Sequence, residues 1–217
     1  MKKMTIRHHI SDAVLMAYAA GDLAEAFNLM VATHVSMCDD CRAQLAAFEA
    51  VGGAVIERED EAAMSGSALD ATLARIEMMP QATARARSRA KGILPAPLVD
   101  YVGADLASVG WTSLGAGVRQ AILPTDRRAT ARLLYIPAGA RMPDHGHRGL
   151  EMTLVLQGAF ADQNDRFGPG DVEFADEGME HTPVAEAGED CICLAVTDAP
   201  LRFNRILPRL VQGWFRI

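Results

Sequence analysis

The chain has 217 residues, half of them apolar, which is enough for one large or two small domains with buried cores. Its formal net charge of −7 argues against nucleic acid as the main partner and favours a basic protein partner. The start of the sequence turns polar at once, and no apolar run approaches the length of a membrane span. We therefore expect a cytoplasmic protein that binds neither nucleic acid directly nor a membrane.

The first part of the chain has the apolar spacing of short helices. Ser11 or Asp12 can cap a first helix that ends at Gly21, and Asp22 can cap a second. The second helix places its apolar side chains and one imidazole at helical intervals: Leu23, Phe27, Met30 and His34. The pattern predicts a small all-helical unit.

Two further helices are predicted before residue 80. One runs from about Cys41 to the glycine pair at 52–53, and an acidic stretch at 57–61 follows. The other begins near Ser67 and carries an apolar stripe formed by Leu69, Leu73 and Ile76. This stripe fits a contact surface for a basic partner about as well as it fits a buried core face.

A thiolate metal site is indicated where the second helix meets the third. His34, Cys38 and Cys41 are spaced H-x3-C-x2-C, a ligand set that suits tetrahedral Zn2+. We expect Cys41 at the start of a helix, where the positive end of the helix lowers the pKa of a thiol. His8 or His9 can supply the fourth ligand, and the residues alone do not choose between them.

Residues 80–97 have the composition of a linker. They contain three prolines and the run ARARSRAK. Its basic residues would suit a nucleic-acid patch, but a solvated, self-repelling connector is favoured. The chain then divides into a helical unit at 1–79, a linker at 80–97 and a second unit at 98–217.

The second unit reads as β-structure. Short apolar runs such as RLLYI, MTLVLQG, DVEFA and CICLAV are separated by turns rich in glycine, which predicts a small β-barrel or sandwich. Cys191 and Cys193 alternate on one of these strands. Their pattern is more typical of core residues than of ligands, although their parity leaves a redox role open.

A second metal set lies in the β-rich unit. His145, His147 and Glu151 are spaced H-x-H-x3-E, and His181 follows downstream. The first three share parity, so on a regular strand they would face one side, the barrel interior. Imidazole and carboxylate ligands suit Zn, Fe, Mn or Ni.

Both sets resemble those of known families. His9 followed by H34-x3-C38-x2-C41 within short helices resembles the zinc-containing anti-sigma factors, which implies His9, His34, Cys38 and Cys41 as Zn2+ ligands. The stretch from Gly139 to Gly158 fits G-x5-H-x-H-x3-E-x6-G, the first cupin motif, at every fixed position. The stretch GPGDVEFADEGMEHTPV resembles the second cupin motif only loosely.

Together the two modules resemble the ChrR-type anti-sigma factors. The resemblance implies a two-domain α + β protein, with a small zinc-bound helical bundle and a C-terminal cupin, an antiparallel β-barrel or jelly roll. It implies that the helical domain is enough to hold an extracytoplasmic-function sigma factor. It also implies that His145, His147, Glu151 and His181 hold Zn2+ or another divalent metal, and that the cupin senses oxidative stress such as singlet oxygen.

An alternative is a metal-dependent cupin enzyme, dioxygenase-like, with a zinc-stabilised helical appendage. Three histidines and a glutamate are adequate ligands for iron. The sequence offers no further acid–base set around the barrel, which favours a sensor without catalytic residues.

Overall fold

The computed structural model describes residues 5–80, 92–103, 105–143, 145–146, 148–200 and 202–203, with only the backbone at 145, 202 and 203. The helices are α1 (Asp12–Ala19), α2 (Glu25–Met37), α3 (Asp39–Ile56), α4 (Ala68–Met78) and α5 (Ala96–Val102). The strands are β1 (Thr112–Gly115), β2 (Val118–Ile122), β3 (Thr130–Ile136), β4 (His145–Gly146), β5 (Glu151–Gln157), β6 (Phe160–Ala161), β7 (Arg166–Phe167), β8 (Val172–Ala175), β9 (Glu180–His181), β10 (Val184–Ala185), β11 (Cys191–Thr197) and β12 (Arg202–Phe203). None of the helices within these ranges is long and apolar enough to cross a membrane.

The strands form one large and two small antiparallel sheets. The large sheet has the order β1-β2-β3-β11-β5-β8. The small sheets have the orders β10-β6-β7 and β12-β4-β9. Antiparallel strands stacked in this way make the β-sandwich that the short, glycine-separated runs predict.

The two faces of the large sheet pack against different layers. Because side chains alternate along a strand, Leu154 and Leu194 face the helices, whereas Val155 and Cys193 face the small sheets. Nearly every residue of β5 and β11 is therefore buried. Burial on both faces explains why these two strands read as unbroken apolar runs.

Helix α2 covers the outer face of the large sheet. Phe27, Met30 and Val31 are buried in the same apolar cluster as Leu154 and Leu194. Leu98 of α5 belongs to this cluster as well. The helical unit and the β-unit thus share one hydrophobic core in the described part of the chain.

Several helix limits differ from the sequence prediction. Helix α2 begins at Glu25 rather than next to Asp22, and α3 begins at Asp39 rather than Cys41. Helix α3 also continues through Gly52 and Gly53 to Ile56. Glycine within a helix costs roughly 0.5–1 kcal/mol relative to alanine, which weakens a helix without ending it.

The predicted linker is described only at its ends. Residues 81–91, which include the run ARARSRAK, lie outside the described residues. The end of the linker nearest the β-unit is well packed, since Leu94 is buried in the shared core and α5 begins at Ala96. The division into 1–79, 80–97 and 98–217 stays a prediction.

Candidate metal centres

The thiolate site, formed by His9, His34, Cys38 and Cys41, lies at the junction of two helices. His34 is in the last turn of α2, and Cys38 is the residue between α2 and α3. Cys41 is in the first turn of α3, as predicted, and its backbone N–H points to Cys38 Sγ at 3.5 Å. His9 precedes α1. Three of the four side chains are buried and His9 is exposed.

The ligand atoms are close enough to share one ion. One nitrogen or sulfur from each residue lies within 4.8 Å of all the others, so the group could hold a metal such as zinc. His9 Nδ1 is 3.3 Å from Cys38 Sγ and 3.5 Å from Cys41 Sγ. Ligands at the usual Zn–N and Zn–S lengths in a tetrahedron are about 3.5 Å apart, so these separations fit the ion.

The ring of His34 is oriented for metal binding. Its Nδ1 is 3.0 Å from the carbonyl oxygen of Gly170, and a carbonyl can only accept, so Nδ1 carries the proton. Its Nε2 is buried without a hydrogen-bond partner among the described residues. Burial also lowers the His34 pKa to about 4, against a weaker opposing effect of the Gly170 hydrogen bond. A neutral imidazole with a buried, unpaired Nε2 fits a metal ligand.

The side chain of His8 contacts residues of the β-unit instead of the thiolate site. Its Nε2 is 3.1 Å from Asp165 Oδ2, its Nδ1 is 3.5 Å from Asp171 Oδ1, and its ring packs against Phe167. Of the two neighbouring histidines, the geometry therefore places His9 beside the thiols.

Burial acts against the lowered thiol pKa that the sequence predicts at Cys41. Burial raises the Cys41 pKa to about 11, and a hydrogen bond with the Ile10 backbone opposes this only in part. The helix terminus alone does not produce a thiolate there. A bound cation would supply the positive charge that a buried thiolate needs.

The ligands of the second predicted set lie on more than one strand. β4 ends at Gly146 and β5 begins at Glu151, and the two strands belong to different sheets. The chain bends between them where Asp198 accepts the backbone N–H of Leu150 at 2.9 Å, and a side chain at Gly149 would collide with Asp198. The shared parity that these ligands would have on one regular strand therefore does not extend across this bend.

The described ligands of this set still approach one another. The backbone of His145 pairs with His181, and Glu151 opens β5 with a buried side chain. Glu151 lies near enough to His181 to favour its charged form. His147 and the side chain of His145 lie outside the described residues.

Two carboxylates beside His181 are absent from the sequence prediction. Glu173 Oε1 is 3.0 Å from His181 Nδ1, and Asp162 Oδ2 is 3.5 Å from it. Burial of His181 opposes protonation, but these carboxylates and Glu151 raise its pKa overall. One ligand atom from each of Asp162, Glu173 and His181 lies within 4.8 Å of the others. Glu173 could have been identified from the sequence, because it is a charged residue at an inward-facing position of a short apolar strand.

Cys191 and Cys193 lie on the inner face of the large sheet. Both are fully buried in the inner apolar cluster, and their sulfur atoms are 3.5 Å apart. The Cys193 pKa is raised by its hydrogen bond with Cys191 and by burial. This placement fits the core residues that their pattern favours.

An apolar surface is exposed on α3, α4 and their flanking residues. Within the described ranges, nine of the eleven exposed large apolar side chains fall between residues 51 and 79. They are Val51, Val55, Ile56, Met64, Leu69, Leu73, Ile76, Met78 and Met79. No residue of α4 is buried, so its predicted apolar stripe is not a core face.

Comparison with known proteins places this architecture in a family. A family model described as the ChrR Cupin-like domain matches residues 100–200. The chain is 62% identical over 214 residues to the anti-sigma-E factor ChrR of Cereibacter sphaeroides, covering 99% of this chain and 100% of that protein. It also matches the crystal structure of Rhodobacter sphaeroides SigE in complex with the anti-sigma ChrR, with 59% identity, a TM-score of 0.79, and coverage of 89% of this chain and 100% of that chain. The N-terminal helices followed by a cupin-like β-sandwich are thus the fold predicted from the sequence, and the chain belongs to the family of the anti-sigma factor ChrR.

Proposed function

We propose that this protein sequesters an extracytoplasmic-function sigma factor through its N-terminal helices. The observation that carries the proposal is the 62% identity, along almost the whole chain, with an anti-sigma factor. A related anti-sigma chain forms a complex with SigE. A sigma-binding regulator acts beside the transcription machinery, so we place the protein in the cytoplasm and assign it no enzymatic activity.

The apolar surface of α3, α4 and their flanking residues is the contact site in this proposal. Leu69 and Leu73 are 67% and 48% exposed on a helix with no buried residue, so partner binding would remove them from water. The acidic stretch at 57–61 lies next to this surface along the chain and would attract a basic partner. An amphipathic helix presented in this way suits a groove in another protein.

Changing Leu73 to Asp is expected to weaken sigma-factor binding on the order of 100-fold, because central apolar contacts at interfaces are worth about 2–4 kcal/mol. The measurement is calorimetric titration of the full chain with SigE of Rhodobacter sphaeroides. Met16→Asp is the matched control, since Met16 is 54% exposed on α1, outside this surface. Failure of the unaltered chain to bind would contradict sequestration, and unchanged binding by Leu73→Asp would reject the surface.

We propose Zn2+ as the ion of the thiolate site, with His9, His34, Cys38 and Cys41 as its ligands. The unpaired Nε2 of His34 and the sulfur–nitrogen separations support this assignment. A structural zinc would hold the junction of α2 and α3, and with it the base of the sigma-binding helices. We also propose that residues 1–79 are sufficient to bind the sigma factor. Since α2 buries Phe27 and Met30 in the core shared with the sheet, the tests use the full chain.

We further propose that His145, His147, Glu151 and His181 hold Zn2+ or another divalent cation, and that the barrel causes sigma release under oxidative stress such as singlet oxygen. A sensor shifts the balance between bound and released states only if it interacts differently with the two. The bound cation would act as a Lewis acid and a fixed charge. Glu173 would orient the His181 ring through Nδ1.

The Glu173→Gln variant is therefore expected to bind the barrel cation about 10–100-fold more weakly, the usual cost of losing a partner that orients a histidine ligand. Competition with a chelator dye, using Zn2+ as the probe, measures this affinity. Glu189→Gln is a suitable control because Glu189 is an exposed carboxylate of the loop before β11. Equal affinities in the Glu173 variant and the unaltered chain would remove the orienting role.

A further inference from the structure

One short segment of the barrel, residues 168–171, touches the histidine side of the thiolate site. The carbonyl of Gly170 receives the His34 Nδ1 hydrogen bond at 3.0 Å, across 136 residues of sequence. Asp171 Oδ1 accepts the backbone N–H groups of Arg7 and His8 at 2.6 and 2.9 Å. The residue after His8 is His9, so the turn orients one imidazole and anchors the segment that carries the other.

Further hydrogen bonds and one close packing contact join this turn to the N-terminal segment. Asp171 is 3% exposed, and its other oxygen accepts the backbone N–H of Gly168 at 2.8 Å, which closes the turn. The backbone N–H of Val172 donates to the His8 carbonyl at 3.1 Å. Gly170 has a φ of +89°, and a Cβ there would lie 2.5 Å from Ile6 Cδ1. The N-terminal segment is therefore fitted closely against the start of β8.

The same segment continues along the chain into β8, which carries Glu173 of the group formed by Asp162, Glu173 and His181. Glu173 is two residues after Asp171, and its Oε1 is 3.0 Å from His181 Nδ1. The turn is also bonded to β5, since Gly170 N–H donates to Val155 O at 2.8 Å and Val155 N–H donates to Asp171 O at 3.1 Å. β5 opens with Glu151. Residues 170–173 thus contact partners at both candidate metal centres.

We propose that residues 170–173 are a positioning element shared by the two metal centres, so that the state of the barrel ligands sets the metal affinity of the thiolate site. Gly170 and Asp171 position His34 and the segment of His9, and Glu173 positions His181. The inference depends on the two metal sites of the proposed function, though not on the sigma factor. A cation on His181 would fix Glu173 and the start of β8, and would thereby tighten the thiolate site. Such coupling is reciprocal in binding free energy.

The test follows Co2+ in the full chain, because a thiolate-to-cobalt absorption band reports the thiolate site alone. Asp171→Ala is expected to speed the loss of this band to a chelator about 10–100-fold, as removal of partners that orient ligands usually does. His181→Ala is expected to speed it as well. In the double variant the two effects should not add, since both act through residues 170–173.

Asp190→Ala is the matched control. Asp190 accepts the backbone N–H of Ala138 at 2.9 Å and the hydroxyl of Tyr135, and it lies directly before β11, away from residues 170–173 in sequence. By itself, Asp190→Ala should not change the rate at which the cobalt band is lost to the chelator. Combined with His181→Ala, it should not increase that rate further. The Asp171→Asn variant, which keeps the side-chain size, should lie between Asp171→Ala and the unaltered chain.

Release rates within twofold of the unaltered chain for Asp171→Ala, or full additivity with His181→Ala, would overturn the inference. An equal effect of Asp190→Ala would overturn it too, because general loosening of the barrel would then explain the result. Calorimetry with SigE provides a separate readout. Coupling without SigE binding would reject the proposed function alone, and SigE binding without coupling would reject this inference alone.

Discussion

Replacing Cys38 or Cys41 with serine is expected to remove the zinc from the thiolate site and to loosen the helices that meet there. Structural zinc in small peptides contributes on the order of 10 kcal/mol at neutral pH, and a serine hydroxyl is a poor substitute for a thiolate. Both cysteines are buried where α2 ends and α3 begins, so their loss frees that junction. Zinc content should fall by one equivalent per chain, with a loss of helical circular dichroism.

The control for this change is Cys191→Ser, which alters an equally buried thiol on the inner face of the sheet. That variant should keep the zinc of the thiolate site, whatever its effect on the barrel core. A Cys38→Ser protein that retained its full zinc content, or whose helicity stayed constant, would show that these thiols are core residues rather than ligands.

Replacing a barrel ligand is expected to have the opposite consequence for regulation: repression persists and release fails. In Glu151→Ala and His147→Ala cells, reporter transcription should stay at its repressed level with and without singlet oxygen. Under the proposed function, the helices would hold the sigma factor, whereas the barrel would only bias the balance between the bound and released states. Induction should therefore fall from its normal level to none. The thiolate site, although it would exchange its metal faster in these variants, should stay occupied, so the helices should still bind the sigma factor.

Glu177→Ala is the control for the barrel variants, because Glu177 is an exposed carboxylate of the turn before β9. It should induce normally. Normal induction in Glu151→Ala and His147→Ala would rule out a sensing role for this set. The enzyme alternative makes a different forecast: both variants would lose turnover of a small substrate and still release the sigma factor.

The thiolate site was predictable because most of it is local in sequence. His34, Cys38 and Cys41 lie within one helix–helix junction, so the local course of the chain brings them together. The choice between His8 and His9 depends on packing against the barrel, which the residues themselves do not reveal. The family resemblance implies His9, which is the histidine that lies beside the thiols.

The parts that sequence reasoning missed are long-range or depend on exact bends of the chain. The carbonyl of Gly170 has no side chain to mark it, and its partner His34 is 136 residues away. The bend before Glu151 depends on Asp198, from a distant part of the chain. The continuation of α3 through Gly52 and Gly53 shows that a local penalty of about 1 kcal/mol per glycine does not end a helix by itself.

The central position of β11 has a consequence for synthesis on the ribosome. This strand lies between β3 and β5, yet it is the last seven-residue strand of the described chain. At about 5–20 residues per second, roughly 8–30 seconds separate the emergence of α2 from that of β11. During this interval the apolar face of α2, with Phe27 and Met30, has no completed sheet to cover it. A nascent chain that stops before residue 191 therefore lacks both the middle of the sheet and the surface on which α2 packs.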